Sequence, residues 1–552
     1  MLERAWAQRG HAAASPLGLT IATEALGAIL EGWQDYAGSG AWAERLASQL
    51  DARGALDADA RLQSDAVCLR AVDILQASSL GARGALVAAM LGMLEGEAPS
   101  AEAALAAAGV LMESAGYATN DEALFGRAVR ASQRWLARPG LSPLLVASWL
   151  TTYGPLGRRW PVPGVKLPAA TPIGCVERAL ELAREFGAPG ASFGAAQYLA
   201  NAAIADNDRV LANERLSALR DATDLASPTQ SVNLLVVEAG ALALAGVWPR
   251  ARDVAAQALA LARQHGFPAS QQWSSFMAVQ RIAIATGAAA AARAALLAEA
   301  ARWDGGVYRE LTLVLADVAL AAQAVDAGRE PAPELLRAIV GRARELAWPG
   351  FATLLAPLAA TLCAAALAQG IEPAFVRHVV RERRLAAPVP HEPHWPWPVR
   401  LHVLGGLRIE VDGAEVALGA RAPRKPLDLL KAVVAHGPAP VDAALVLDAL
   451  WSDAEGGAAR AAFDMAVLRL RKLLGREDAV RLDAGRIGFD TGLVWVDAWA
   501  FASGASDAYP GALFGHDAVQ PWWAAARERL AQRFLRRVRE RALAKERAGA
   551  HD

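Results

Sequence analysis

Residues 458–475 read AARAAFDMAVLRLRKLLG and carry Arg469, Arg471 and Lys472 almost side by side. Guanidinium and ammonium groups at helical spacing neutralise phosphates, and on a helix lodged in a major groove they also donate to base edges. The chemistry on offer is charge pairing with nucleic acid rather than covalent catalysis. On a 3.6-residue wheel, Phe463, Val467, Leu470 and Leu474 form the inward stripe. Ala461, Ala462, Met465, Ala466, Leu468, Arg469 and Lys472 are expected on the outward face, with Arg471 flanking the stripe and Arg460 in the first turn. Alanine, methionine and leucine at Ala461, Met465, Ala466 and Leu468 leave few groups for base-specific readout, since apolar side chains recognise little beyond a thymine methyl.

Other chemistries find no support in the residue pattern. There is no carboxylate pair at one site and no Ser/His/Asp set, and the nine histidines are scattered, so general acid–base catalysis is not expected. No Cys/His spacing suggests zinc. No Gly-Lys pair occurs anywhere, which rules out a Walker-type phosphate cradle. Cys68, Cys175 and Cys363 lie far apart in apolar helical stretches and read as reduced, buried thiols of a cytoplasmic protein. His391 and His394 lack a third ligand nearby and read as linker histidines. The expectation is a protein that is not an enzyme and holds no cofactor or metal.

The elements around the quoted helix have a definite order. LHVLG (401–405), LRIEVDG (407–413) and AEVALG (414–419) are short alternating runs, with Asp412-Gly413 as a hairpin turn. Three helical segments follow, at 426–437, 441–451 (after a cap at Asp442) and 458–475. AVRLDAGRIGFD (479–490) then reads as a hairpin turning at Ala484-Gly485, and VWVDAW (494–499) as a further strand. This β-β-β-α-α-α-β-β order is what a winged helix needs, with Arg486 near the hairpin tip. Trp451 and Phe463 are expected in its core. PWWAAARERLAQRFLRRVRERALAKERAG (521–549) reads as one basic helix or two, with Trp522 and Trp523 packing against the winged helix.

Upstream the texture differs. Alanine dominates and strand formers are sparse, which favours helix. ALELAREFGAPG (179–190), ALALARQHGFPA (258–269) and IVGRARELAWPG (339–350) each close an amphipathic helix on a Gly/Pro break, about 80 residues apart, with weaker breaks midway. Hairpins of about 40 residues that cannot bury their apolar faces alone imply a TPR-like α-solenoid, with roughly eighteen helices between residues 15 and 385. Residues 142–172 read as an irregular junction between two sub-arrays. The window 351–370 approaches membrane-span length but holds Pro357 and reads as a buried repeat helix, so no membrane partner is expected. The first residues have no secretory apolar core, in keeping with a cytoplasmic location. APVPHEPHWPWP (387–398) packs five prolines into twelve residues and reads as an extended linker. The expected organisation is therefore a mostly α chain: helical repeats over 1–386, the linker, an α+β winged helix over 399–501 and a helical tail over 502–552.

Residues 399–501 resemble the winged-helix domain of the OmpR/PhoB type, as found in bacterial transcriptional activators of the Streptomyces antibiotic regulatory protein class. The matching words are LGGLRIEVDG, RKPLDLLKAVV, VLDALW, LRLRKLLG and VWVDAWAF. The last, followed by YPGALF and PWWAAARERLAQRFL, is similar to the shortened activator tail of a MalT-like branch of helical-repeat regulators. GLTIATEALGAILEGWQDYAGSGAWAERLASQL near the start resembles the first repeats of that branch. The resemblance implies a transcription regulator that binds double-stranded DNA, with repeats that take an effector or protein partner or join two protomers as a homodimer. It implies phosphate or base contacts at Arg469, Arg471 and Lys472, with support from Arg424, Lys425, Arg460 and Arg486. The loop 452–457 corresponds to one that contacts RNA polymerase, through Asp453 and Glu455. Such regulators usually carry an ATPase that this sequence lacks.

Charge sets a limit on the DNA reading. The chain's net charge is −1, and residues 398–500 hold thirteen basic and fourteen acidic side chains. Any grip on DNA must come from a local cluster rather than from overall basicity. An alternative reading follows: a helical-repeat interaction scaffold whose winged helix no longer reads DNA, suggested by the apolar outward face and the missing ATPase.

Overall fold

A computed structural model describes the chain except residues 9–13, 32–35, 97–98, 419–423, 453–455 and 548–552. It divides into two compact units, one of residues Met1–Ala359 with Glu382–Arg384, the other of Ala360–Arg381 with Leu385–Asp552.

The first unit is a TPR-like array of helical hairpins. Between Pro16 and Glu382 the described residues form eighteen α-helices, as the Gly/Pro spacing predicts; the last two, Ala356–Ala368 and Pro373–Glu382, fall mostly in the second unit. The local chemistry of each start and stop is explicit. Thr171, Asp208 and Ser227 accept hydrogen bonds from Gly174, Leu211 and Gln230 and cap the helices Pro172–Glu185, Arg209–Ala222 and Pro228–Leu244. Gly187, Gly246 and Gly266 stop helices with φ between 63° and 79°, a region open to glycine at little steric cost. Cys68, Cys175 and Cys363 are buried free thiols. The apolar window 351–370 breaks into a short 3₁₀ turn, Pro349–Ala352, and the helix Ala356–Ala368. No described helix is long and apolar enough to cross a membrane.

Residues 142–172 resolve into the helix Pro143–Arg159, with Pro155 inside it, and a non-helical run before Pro172. This helix packs closely on Pro172–Glu185, and Gly154 sits at the contact. A Cβ there would lie 2.1 Å from Val176 Cγ2 and 3.0 Å from the Pro172 carbonyl oxygen. Alanine ordinarily favours a helix interior by about 1 kcal/mol over glycine, but forcing atoms into a filled contact costs about 1–3 kcal/mol. Gly154→Ala is therefore expected to lower the urea midpoint of the array, against the usual direction of that substitution.

The array also closes on itself. The helix Ala269–Ala285 meets Ala58–Leu75, and Ser270 Oγ donates to the Ile74 carbonyl at 2.9 Å. The helix Gly306–Asp326 meets a π-helical turn, Ser114–Thr119. Arg159 reaches the carbonyls of Gly116 (3.1 Å) and Leu346. Repeats distant in sequence thus enclose a central cavity.

The described residues of the second unit form seven strands: β1 (Val399–His402), β2 (Arg408–Val411), β3 (Ala414–Glu415), β4 (Val441–Asp442), β5 (Val480–Asp483), β6 (Arg486–Phe489) and β7 (Val494–Val496). One sheet runs β3-β2-β1-β7, with β1 and β7 parallel; the other runs β4-β6-β5 and is antiparallel. Along the chain the helices Arg424–His436, Ala443–Leu450 and Gly456–Leu473 lie between β3 and β5, with β4 after the first of them. Both hairpin turns have two successive residues at positive φ, Asp412 (50°) and Gly413 (83°), then Ala484 (47°) and Gly485 (76°). That geometry matches the twist of the flanking strands. Phe463 is fully buried and meets Trp451 edge-on at 6.1 Å, and Trp499 Nε1 donates to the Val434 carbonyl at 2.9 Å.

Three features depart from the expectations. The third β run pairs over only two residues, and β4 adds an unforeseen short edge to the hairpin. VWVDAW is strand only to Val496, after which the helix Asp497–Ser503 begins. The Pro-rich segment is packed rather than extended: Trp395, Trp397 and His391 are buried, and Arg400 donates to the Pro393 (2.5 Å) and Trp395 (2.7 Å) carbonyls. Tryptophan and arginine supply the packing and donors that proline lacks.

Asp497 pins these pieces together. Its Oδ1 accepts from the Val403 (2.9 Å) and Ala498 (2.7 Å) amides and its Oδ2 from Leu404 (3.1 Å). Burial pushes its carboxyl up to about 6, against the three amides, which favour the charged form. A carboxyl whose folded pKa is raised binds more protons in the folded state. Its contribution is full below the ordinary aspartate range, near pH 4, and is lost as pH rises through about 6. Between pH 4 and 7 the unfolding free energy of Asp497→Asn is expected to show the flatter pH dependence by comparison with the parent chain.

Candidate nucleic-acid interface

The helix Gly456–Leu473 is seated by its apolar stripe. Phe463, Val467, Leu470 and Leu474 are all buried. Ala466, expected outward, is buried as well, at 2% exposure. At about 100° per residue it stands only about 60° from Phe463, inside the width that a packed helix covers. The exposed face comprises Ala461, Asp464, Met465, Leu468, Arg469 and Lys472, while Ala462 is half-buried. Met465 and Leu468 are 47% and 55% exposed.

The seven candidate cations divide by what their side chains touch. Arg469 and Lys472, three residues apart, share the exposed face and have no hydrogen-bond or ion-pair partner among the described residues. Arg424 is likewise exposed and unpaired among the described residues. Arg460 is exposed but pairs with Asp464 one turn on (3.2 Å), which cancels its charge locally. It also lies about half a turn around the helix from Arg469.

The other three also bond to the fold, with Lys425 and Arg486 exposed and Arg471 half-buried. Arg471 donates Nε and Nη2 to the Val480 carbonyl at 3.1 and 2.9 Å, fastening the helix to β5. Lys425 Nζ donates to the Leu450 carbonyl at 2.5 Å and lies 5.1 Å from the Trp451 ring centroid, closing the C-terminus of Ala443–Leu450. Arg486 donates to the Pro440 carbonyl and bridges β6 to the segment before β4. Asp453 and Glu455, the polymerase-contact candidates, lie outside the described residues.

The hairpin carries an exposed cation that the sequence reading did not single out. Arg481, on β5 of the hairpin, is exposed but pairs with Asp490 (2.5 Å). Its position opposite Gly488 in the β5–β6 register was the available signal. Trp523 is buried edge-on against Phe514 at 5.0 Å, and Trp522 is half-buried beside it, so both pack as expected. The single helix Pro521–Arg547 carries them.

No family model and no curated protein matches the chain. Among solved structures, a Rap protein complexed with competence and sporulation factor is similar over 66% of this chain and 98% of its own, at 10% identity and a TM-score of 0.42.

Proposed function

We propose that the chain is a transcription regulator of the OmpR/PhoB-like winged-helix type. The helix Gly456–Leu473 enters the major groove of double-stranded DNA, and the helical array carries the effector or partner surface. One observation supports this above the others: the three-helix and hairpin order leaves Arg469 and Lys472 together, exposed and unpaired among the described residues. With so few available cations, one protomer binds weakly, because each neutralised phosphate adds only a salt-dependent increment. Two linked protomers bind adequately through effective concentration, so the regulator acts as a homodimer.

The exposed Met465 and Leu468 favour a second reading, in which the same helix face docks another protein and the array is a scaffold. Genome-wide occupancy of the tagged protein separates the two. A regulator gives a limited set of sharp sites. Diffuse or absent occupancy removes the DNA reading and leaves the scaffold.

A further inference from the structure

Alternate helices between Pro16 and Asp326 line the central cavity of the array, whose volume is about 650 Å³. That lies in the size range of sites that enclose small organic ligands. Glu31, Arg70 and Glu113 come from three of these helices in succession, 39 and 43 residues apart, one hairpin period each. Arg70 donates Nη1 to Glu31 Oε1, and Nε (3.2 Å) and Nη2 (3.0 Å) to Glu113 Oε2. The second oxygens, Glu31 Oε2 and Glu113 Oε1, have no partner among the described residues, and these carboxylates are 58% and 37% exposed. Asp73 lines the same cavity, and its partner Arg83 (2.6 Å) stands outside the lining. With Asp73 paired to Arg83, Glu31 and Glu113 share the single lining cation Arg70, which makes three hydrogen bonds to them.

Four aromatic rings complete the wall: Tyr36, Tyr117, Trp149 and Tyr308. Three are held from behind. Tyr36 meets Phe267 edge-on at 5.2 Å, Trp149 stacks on Tyr153 at 5.2 Å, and Tyr308 stacks on Trp303 at 4.9 Å. Tyr117 is different. It lies on the π-helical turn Ser114–Thr119, which directly continues the helix ending at Glu113, and the residue is 45% exposed. A π turn shifts the residues after it out of α-helical register, and such turns gather at functional sites. Here the shift sets an exposed tyrosine beside a carboxylate with an open oxygen.

We propose that this cavity is the effector site and takes a small organic cation with an apolar body, an amine or quaternary ammonium. The open oxygens of Glu31 and Glu113 face its charge, and the tyrosine rings take its body and add cation–π attraction. An anion meets two carboxylates that share one arginine, whose guanidinium is already turned to them. The proposal deepens the role given above to the array. Binding is measured without DNA, so its failure is distinct from failure of the DNA reading.

The test titrates the full-length chain with benzyltrimethylammonium and, in parallel, with phenylacetate, by isothermal calorimetry. The cation is expected to bind saturably and phenylacetate not at all. Glu113→Gln is expected to weaken the cation about tenfold, and Tyr117→Ala, at a half-exposed residue, by a similar factor. Should Glu113→Gln fail to fold, Tyr117→Ala alone decides. Phenylacetate binding as tightly as the cation, no saturable cation binding at millimolar concentration, or full affinity in Tyr117→Ala overturns the proposal.

Discussion

Replacing Arg469 and Lys472 together by alanine is expected to weaken DNA binding on the order of thirtyfold per protomer at 0.15 M salt, and to flatten the slope of log affinity against log salt by about 2. Each phosphate neutralised on duplex DNA releases counterions equivalent to about 0.9 of a unit charge. Two lost contacts therefore appear in the slope as well as in the affinity. Both side chains are exposed and unpaired among the described residues, so thermal stability is expected to hold. Arg471→Ala is the contrasting variant. It loses two hydrogen bonds to the Val480 carbonyl and is expected to cost about 1–3 kcal/mol of stability with little change in salt slope. Filter binding over a salt series and thermal melting read the two effects separately. A double variant that keeps the parent's slope removes Arg469 and Lys472 from any DNA contact.

Phe463→Ala is expected to destabilise the second unit by about 3–5 kcal/mol, the loss typical of a fully buried aromatic ring. The ring has no exposed surface and meets Trp451 edge-on, so its removal leaves a void that neighbouring side chains fill only in part. It is the central knob of the stripe that seats the helix. Without it, the face bearing Arg469 and Lys472 loses its fixed position although neither cation has changed. Calorimetry is expected to show the transition of the second unit shifted down, with that of the first unit unmoved. Phe463→Leu keeps most of the apolar volume and is expected to recover much of the loss. An unchanged transition in Phe463→Ala means that the helix is held by something other than this stripe.

The hairpins, caps and repeat boundaries were legible because each depends on neighbours within a few residues. Asp412-Gly413 and Ala484-Gly485 carry the positive φ values that two-residue hairpins demand, and Asp442 accepts from the Ala444 amide at 2.8 Å as a helix cap should. Eighteen helices follow from Gly/Pro breaks at fixed spacing. The stripe of Phe463, Val467, Leu470 and Leu474 follows from a 3.6-residue period, but its width does not, and Ala466 fell on the wrong side of that margin.

What the sequence determined by itself is the inventory: helical hairpins of one period, three helices followed by a hairpin, and a handful of cations on and near one helix. Periodicity and turn chemistry act locally, so residue order suffices to read them. Which cations bond to the fold was decided only by the tertiary structure. Lys425, Arg471 and Arg486 each found a backbone carbonyl left open by a distant element, at Leu450, Val480 and Pro440, while Arg469 and Lys472 did not. The cavity was decided in the same way. Glu31, Arg70 and Glu113 are unremarkable helix charges in the sequence, and they meet only because the hairpin period stacks their helices around a common centre.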